Sequence, residues 1–518
     1  MSKQEEADMI FAKGLLDDLE TNDISFDNWE DKKDIYLRGK VSWATWQKYW
    51  KEKKAEENIK PKYNACDVMQ LIAARREEEA SEVVVEIIMK DNYIDSIKQD
   101  KTKEIWFYEN GIRKPNGESH IRELCRKILE DAYTPQRANK VLAKIEADTY
   151  IEADEFFKKE MENIDEIPVL NGILNVRTRE LSDYTPDKIF FNKINATYDP
   201  DAGCPFTKKF MKDVLRNPED IDVSFEISGS CLYKKYSIQS AIMLEGAGEN
   251  GKGVWVHHLR KFLGEQNCSS VPLNQLTPDS FSVAGLFGKL ANLAGDISNT
   301  DLKDTGRFKE LTSGTDLVAA KRKFLTDLFF ENYGKLIFSC NELPKVYDFS
   351  HGFWRRWLII EFPYKFLKQK EFDLVEDKTN IKLAKPDIID EISTPEEMSG
   401  FLNESLDGLD RIFKTKQFSN TKSTAEVKNF WIRKSDSFTS FCMDCLEEDL
   451  DNWVSKKNIR KQFSRYCKKH KVKGAGDKNI KAVLEDLFGI IESRRQVNDN
   501  YDREWVWEGI RFKQEVKR

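Results

Sequence analysis

The chain has 518 residues, which at roughly 100–200 residues per domain predicts about three domains. It is 40% hydrophobic and 12% aromatic, enough for sizeable cores, yet 33% charged with a net charge of −7, so a bulk polycation is excluded and any nucleic-acid contact must come from local basic patches. The start MSKQEEADM has no apolar signal core, no run of about 18 apolar residues occurs, and nine scattered cysteines fit reduced thiols, so a cytoplasmic protein with no membrane partner is expected.

Residues 1–60 are rich in Lys, Glu and Trp, and SWATWQKYWKEKK sets Trp43, Trp46, Tyr49 and Trp50 on one helical face behind a cap at Ser42. That recurrence marks a face buried in a core or against a partner helix, in a helical extension expected to serve assembly or docking. Residues 61–236 are expected to form an α+β domain, mostly helical at first. IWFYENGIRKP reads as a strand pair turning at Asn110-Gly111, and IPVLNGILNVRTRELSDYTPDKIFF as a β-rich stretch with a second turn signal at Asn171-Gly172. A helical segment over about 206–235 leads into residues 237–420. There apolar strands alternate with helices as in an α/β sheet, before a polar lid or connector from 367. Residues 421–518 hold a linker, then three helices and two strands, GIIESRRQV and REWVWEGIRF, around the turn cluster NDNYD, which describes a winged helix.

The chemistry concentrates in the third region. SAIMLEGAGENGKGVWVHHLRKFLG reads as strand, Gly-rich loop and amphipathic helix. Gly246, Gly248 and Gly251 permit a tight turn with inward N–H groups, and Ala247, Glu249 and Asn250 complete the loop. Lys252 would reach the β- and γ-phosphates of ATP, and Gly253 and Val254 open a helix whose positive end faces the anion. The position after such a lysine ordinarily carries Ser or Thr to hold Mg²⁺. Gly253 has no hydroxyl, so the metal would rest on water and a downstream carboxylate. GKLANLAGDIS supplies one, Asp296 at a strand end, standing alone beside Gly295 with Asp301 and Asp304 as reserves. GKLIFSCNELP ends at Asn341, placed to orient attacking water. Arg355 and Arg356 precede the next strand, where a guanidinium can neutralise transition-state charge in a neighbouring subunit. FKELTSGTDLVAAKRKFLTDLFFEN sets Lys309 on a helix and Lys321, Arg322 and Lys323 in a loop or hairpin. These cations either track a DNA backbone or form a solvated turn.

Together GAGENGKG, LANLAGDIS, FKELTSGTD–AAKRKF and LIFSCNELP–FWRRW resemble, in order, the motifs of superfamily 3 helicases, in the branch at the C-terminal end of phage, plasmid and poxvirus-type primase-helicases. The resemblance spans roughly residues 65–515, is strongest from Ser240 to Phe366, and extends to NGILNVRTREL–DYTP in a viral-type collar domain before the motor. It implies a multidomain α/β chain with an AAA+-like P-loop NTPase core, a mainly helical N-terminal region and a C-terminal winged helix. It further implies a homohexameric ring that uses ATP and Mg²⁺ to move 3′ to 5′ on single-stranded or forked DNA in a host cell's cytosol, served by a separate primase or polymerase. Lys252 would contact phosphate, Asp296 the metal, Asn341 would act as polar sensor, one of Arg355 and Arg356 as finger, and Lys321–Lys323 as pore hairpin. Gly253 and the solitary Asp296 depart from the commonest motifs, which keeps an alternative open: an ATP-binding DNA initiator or scaffold ring with little turnover.

Near the C-terminus, Cys442, Cys445, Cys467 and His470 have zinc-like spacing, but the cysteines fall on apolar helical faces with Phe438, Phe441, Ile459 and Phe463 and read as small core residues. Lys456, Lys457, Arg460 and Lys461, with further cations through Lys481 and Arg494–Arg495, suit the phosphates of duplex DNA or form a solvated face.

Overall fold

The structure is a computed structural model that describes residues 65–98, 104–276, 280–295, 301–302, 304–321, 328–348, 350–470, 477–496 and 503–513. The Trp43–Trp50 face, Asp296, Arg322, Lys323 and the NDNYD turn lie outside the described residues. The chain is a mixed α/β multidomain protein whose contacts divide it into two compact units. The first, residues 65–96, 105–107 and 115–150 among those described, contains the helices Ala65–Ala73, Glu77–Asp91, Gly117–Leu129 and Pro135–Asp148. Val84, Ile88, Ile121, Cys125, Val141 and Ile145 recur at helical spacing and fill its core. Thr134 caps the last helix on the Arg137 N–H, and Pro135 follows at the first helical position, where its missing N–H costs nothing.

The second unit holds residues 97–104, 108–114 and 151–518. Its Asn110 (φ 49°) and Gly111 (φ 92°) make the left-handed turn that the Asn-Gly pair predicts. The other pair behaves differently: Val169 opposes Gly172, so Leu170 and Asn171 form the turn and Gly172 already opens the return strand.

At the centre lies a five-stranded parallel sheet: β1 Ala241–Glu245, β2 Cys268–Ser269, β3 Ala291–Ala294, β4 Lys335–Cys340 and β5 Trp357–Glu361, in the order β5-β1-β4-β3-β2. Both faces are covered, as a parallel sheet requires. Ile242, Leu244, Ile337, Leu358 and Ile360 point into one core, and Ala241, Met243, Leu336, Phe338 and Ile359 into another. Between β3 and β4 an antiparallel hairpin, Leu317–Ala320 with Leu328–Glu331, stands apart from the sheet.

The expected lid or connector contains a core element. Pro395–Thr415 is a 21-residue helix burying Phe401, Leu402, Leu406, Leu409 and Ile412. It meets the helix Pro218–Cys231 closely, since a Cβ on Gly229 would lie 2.0 Å from the Ser405 carbonyl oxygen. The C-terminal region runs helix Ser437–Cys445, strand Leu446–Ser455, helix Lys456–His470, helix Asp477–Phe488, then strands Ile491–Gln496 and Arg503–Phe512, with the last strand central in its sheet. The strand Leu446–Ser455 is additional to the three helices and two strands read from sequence. Cys442 is fully buried among Phe438, Phe441 and Phe463, and burial raises its thiol pKa. Among the described residues no helix is long and apolar enough to cross a membrane.

Candidate functional site

The Gly-rich loop leaves the carboxyl end of β1 and enters the helix Lys252–Leu263. Parallel α/β sheets present their ligands at this end, where strand ends and helix N-termini converge. Gly251 has φ +90°, and a Cβ there would lie 2.5 Å from Val214 Cγ1. At Gly246 a Cβ would meet the Phe362 carbonyl oxygen at 2.5 Å. Glycine is therefore required twice for close approach. Gly253 differs, because no heavy atom lies within 4 Å of the Cβ it lacks.

Lys252 is 4% exposed, and its ammonium donates to the Gly246 carbonyl and to Asn341 Oδ1 at 3.3 Å. Asn341 follows β4, which pairs with β1, and its Oδ1 also accepts the Gly248 N–H at 3.2 Å. Asn341 thus touches both the loop backbone and the lysine. Buried Asn250 ties the loop to the end of β5 by donating to the Phe362 carbonyl at 3.3 Å, and the Phe366 N–H donates to the Glu249 carbonyl at 2.7 Å. Chemically, this is a buried lysine, the Asn341 side chain and the Gly248 N–H meeting at one turn, with a helix N-terminus behind it. That combination suits a phosphate chain. For a divalent metal, Gly253 offers no side-chain oxygen ligand.

Sequence reasoning did not find two neighbours of the loop. Glu245, the last residue of β1, is 7% exposed and ion-paired with Lys434 at 3.2 Å. Lys434 belongs to the helix Thr424–Ser435, whose Trp431 indole donates to the Pro344 carbonyl at 2.8 Å beyond the end of β4. One helix next to the C-terminal region therefore touches both strand ends that build the loop site. Nothing local in the sequence links positions so far apart.

The arginine pair lies elsewhere. Trp357 sits beside Ala241 and Glu361 beside Glu245, so Arg355 and Arg356 are at the start of β5. That is about five residues, roughly 16 Å, from the loop end of the sheet. Neither serves this chain's own loop. Arg355 is exposed and hydrogen-bonded to Gln239 Oε1 at 2.7 Å. Arg356 is half-buried and donates to the Gly352 carbonyl, and its Nε has no hydrogen-bond partner among the described residues. Burial, then the charge of Arg355, pulls its pKa below the ordinary guanidinium value.

Of the cations read as DNA contacts, Lys309 is occupied by an ion pair to Asp348 at 2.7 Å. Burial alone would raise the Asp348 carboxyl, but hydrogen bonds from Lys309, Ser350 and Thr305 outweigh it and hold its pKa well below the usual range. Lys321 is exposed at the end of the hairpin strand Leu317–Ala320. Lys456 pairs with Glu492, while Lys457, Arg460 and Lys461 line the exposed side of the helix Lys456–His470.

A family described as D5 N terminal like matches residues 26–216, and a family of unknown function, DUF5906, matches residues 244–356. Over 226 residues the chain is 25% identical to "Putative helicase L207/L206" of Acanthamoeba polyphaga mimivirus, a match covering 41% of this chain and 23% of that protein. Among solved structures, two apo forms of the C-terminal region of NrS-1 are similar at 13% and 12% identity, with TM-scores of 0.42 and 0.44, covering 82% of this chain and 98% of each neighbour.

Proposed function

We propose that this chain is an ATP-driven DNA helicase of a virus or other mobile element, with a P-loop motor of the superfamily 3 kind working as a homohexameric ring on single-stranded and forked DNA. The observation that carries the reading is the meeting of Lys252, Asn341 and the Gly248 N–H at the carboxyl end of β1. The strand order β5-β1-β4-β3-β2 supports an AAA+-like core, and the similarity to a viral protein named as a helicase supports the substrate.

In this reading the loop amides and Lys252 hold the β- and γ-phosphates of ATP, and Asn341 orients water against the γ-phosphate. Asp296, through water, would hold Mg²⁺, which would neutralise charge on the phosphates. Arg355 projects outward from the far end of the sheet, a position suited to reaching ATP on the next copy of the chain. The hairpin ending at Lys321 faces DNA, and a separate primase or polymerase supplies the primers. The C-terminal helices and sheet act as a winged-helix DNA-binding domain.

The test is ATP hydrolysis with and without single-stranded DNA, beside Lys252→Ala, together with strand separation on a forked duplex. DNA-stimulated hydrolysis and unwinding, both lost in the variant, are expected. The bare backbone at Gly253 favours one second reading, a ring that binds ATP to assemble on DNA and barely turns it over. ATP-dependent assembly with negligible hydrolysis would select that account.

A further inference from the structure

The C-terminal region carries an aromatic site that the motor does not explain. Trp505, on the central strand Arg503–Phe512, is 46% exposed, while Trp507 two residues on is 2% exposed and sits in the core. Arg494 opposes Trp505 across the strand pair, with its guanidinium carbon 4.9 Å from the ring centroid. The Lys456 ammonium lies 5.2 Å from the same centroid and is ion-paired with Glu492, which also takes Lys481 at 3.0 Å. Two cations, Arg494 and Lys456, therefore border one exposed indole, with Glu492 as the carboxylate beside Lys456. Arg494 itself makes no ion pair among the described residues.

The charge around this site is uneven. The helix Lys456–His470 exposes Lys457, Lys461, Arg465, Lys468 and Lys469, whereas the next helix, Asp477–Phe488, exposes Lys481 together with Glu485 and Asp486. In a winged helix the third helix would enter the major groove. Here the described part of that helix carries one exposed lysine, itself paired with Glu492 and Glu485, against two exposed acids, and the larger positive charge lies on the second helix and the sheet. Exposed aromatic faces beside cations suit unpaired bases, whose flat faces stack on the ring while the cations take the flanking phosphates.

We propose that Trp505 is a stacking site for an unpaired base of single-stranded DNA, with Arg494 and Lys456 taking the adjacent phosphates, so that the C-terminal region holds the single-stranded arm of a fork rather than reading a duplex. This shares with the function proposed above only the premise that the ligand is DNA.

The test uses the full chain and a single-stranded oligonucleotide carrying 5-iododeoxyuridine, irradiated and mapped by peptide mass spectrometry, with fluorescence anisotropy on single-stranded and duplex forms of one sequence. A cross-link on Trp505 is expected. Trp505→Ala is expected to weaken single-strand binding roughly 5- to 150-fold, with duplex binding and the salt dependence little changed. Trp505→Phe should retain most of the affinity, and Arg494→Ala should reduce the salt slope by about 0.7. Cross-links confined to other peptides, or equal loss on duplex and single strand in Trp505→Ala, would overturn the proposal, as would unchanged affinity. Thermal unfolding of Trp505→Ala at the parent's midpoint shows that the fold is intact. ATP hydrolysis by the unsubstituted chain, measured in the same preparation, separates failure of this site from failure of the motor reading.

Discussion

Replacing Gly251 by Ala tests the loop geometry more sharply than removing Lys252, because its cost follows from two observed quantities. The residue has φ +90°, and an L side chain in left-handed space costs about 1–2 kcal/mol. Its new Cβ would lie 2.5 Å from Val214 Cγ1, and overpacking of that kind costs about 1–3 kcal/mol. The sum is about 2–5 kcal/mol, which at about 2–4 °C per kcal/mol lowers the unfolding midpoint by roughly 4–20 °C. Nucleotide affinity should fall as well, about tenfold for each 1.4 kcal/mol needed to reseat the loop. Gly253→Ala, two residues away, is the internal control. It meets no heavy atom within 4 Å and lies in a helix, where Ala is favoured over Gly by about 0.5–1 kcal/mol. Circular dichroism melts and titration with a fluorescent ATP analogue should move the two variants in opposite directions. Equal effects of the two substitutions, or no effect of Gly251→Ala, would show that the loop does not adopt this conformation.

Four further outcomes are expected. Lys234 and Glu160 form an ion pair at 2.8 Å, 0% and 5% exposed, so Lys234→Met strands a buried carboxylate and should cost about 3–5 kcal/mol in urea unfolding, with Glu160→Gln added to it restoring most of the loss. Burial, then the charges of Lys261 and His257, lowers the His258 pKa from 6.5 to about 3, while the unfolded chain protonates near the ordinary value. Its contribution is therefore complete above pH 6.5 and falls by about 1.4 kcal/mol per pH unit below it. His258→Phe should flatten the stability profile between pH 6.5 and 5, and an unchanged slope would refute the assignment. Arg355→Ala should abolish ATP hydrolysis without lowering the melting temperature, and mixed assemblies with Lys252→Ala copies should regain activity in proportion to the sites that pair an intact loop with an intact arginine. Arg356→Ala should lower both stability and activity.

The strand, loop and helix around Lys252 were legible because they are local. An apolar run, glycines at set spacing and an amphipathic helix each constrain backbone conformation within a few residues. The same holds for the Asn110-Gly111 turn and for the alternation of strand and helix that announced an α/β core. Packing decided what lies beyond that range. The residues of Pro395–Thr415 look polar in composition, and only the close approach of Gly229 to Ser405 shows that one face of the helix is buried. Two adjacent arginines are equivalent as letters, but Arg356 faces inward and Arg355 outward because of what surrounds the start of β5. Lys434 reaches Glu245, and Arg494 and Lys456 flank Trp505, because the chain's path brings distant segments together. Periodicity and turn chemistry encode each element's own conformation. Which charges become paired, buried or exposed depends on the neighbours that tertiary packing supplies, and there the structure alone identifies the partners.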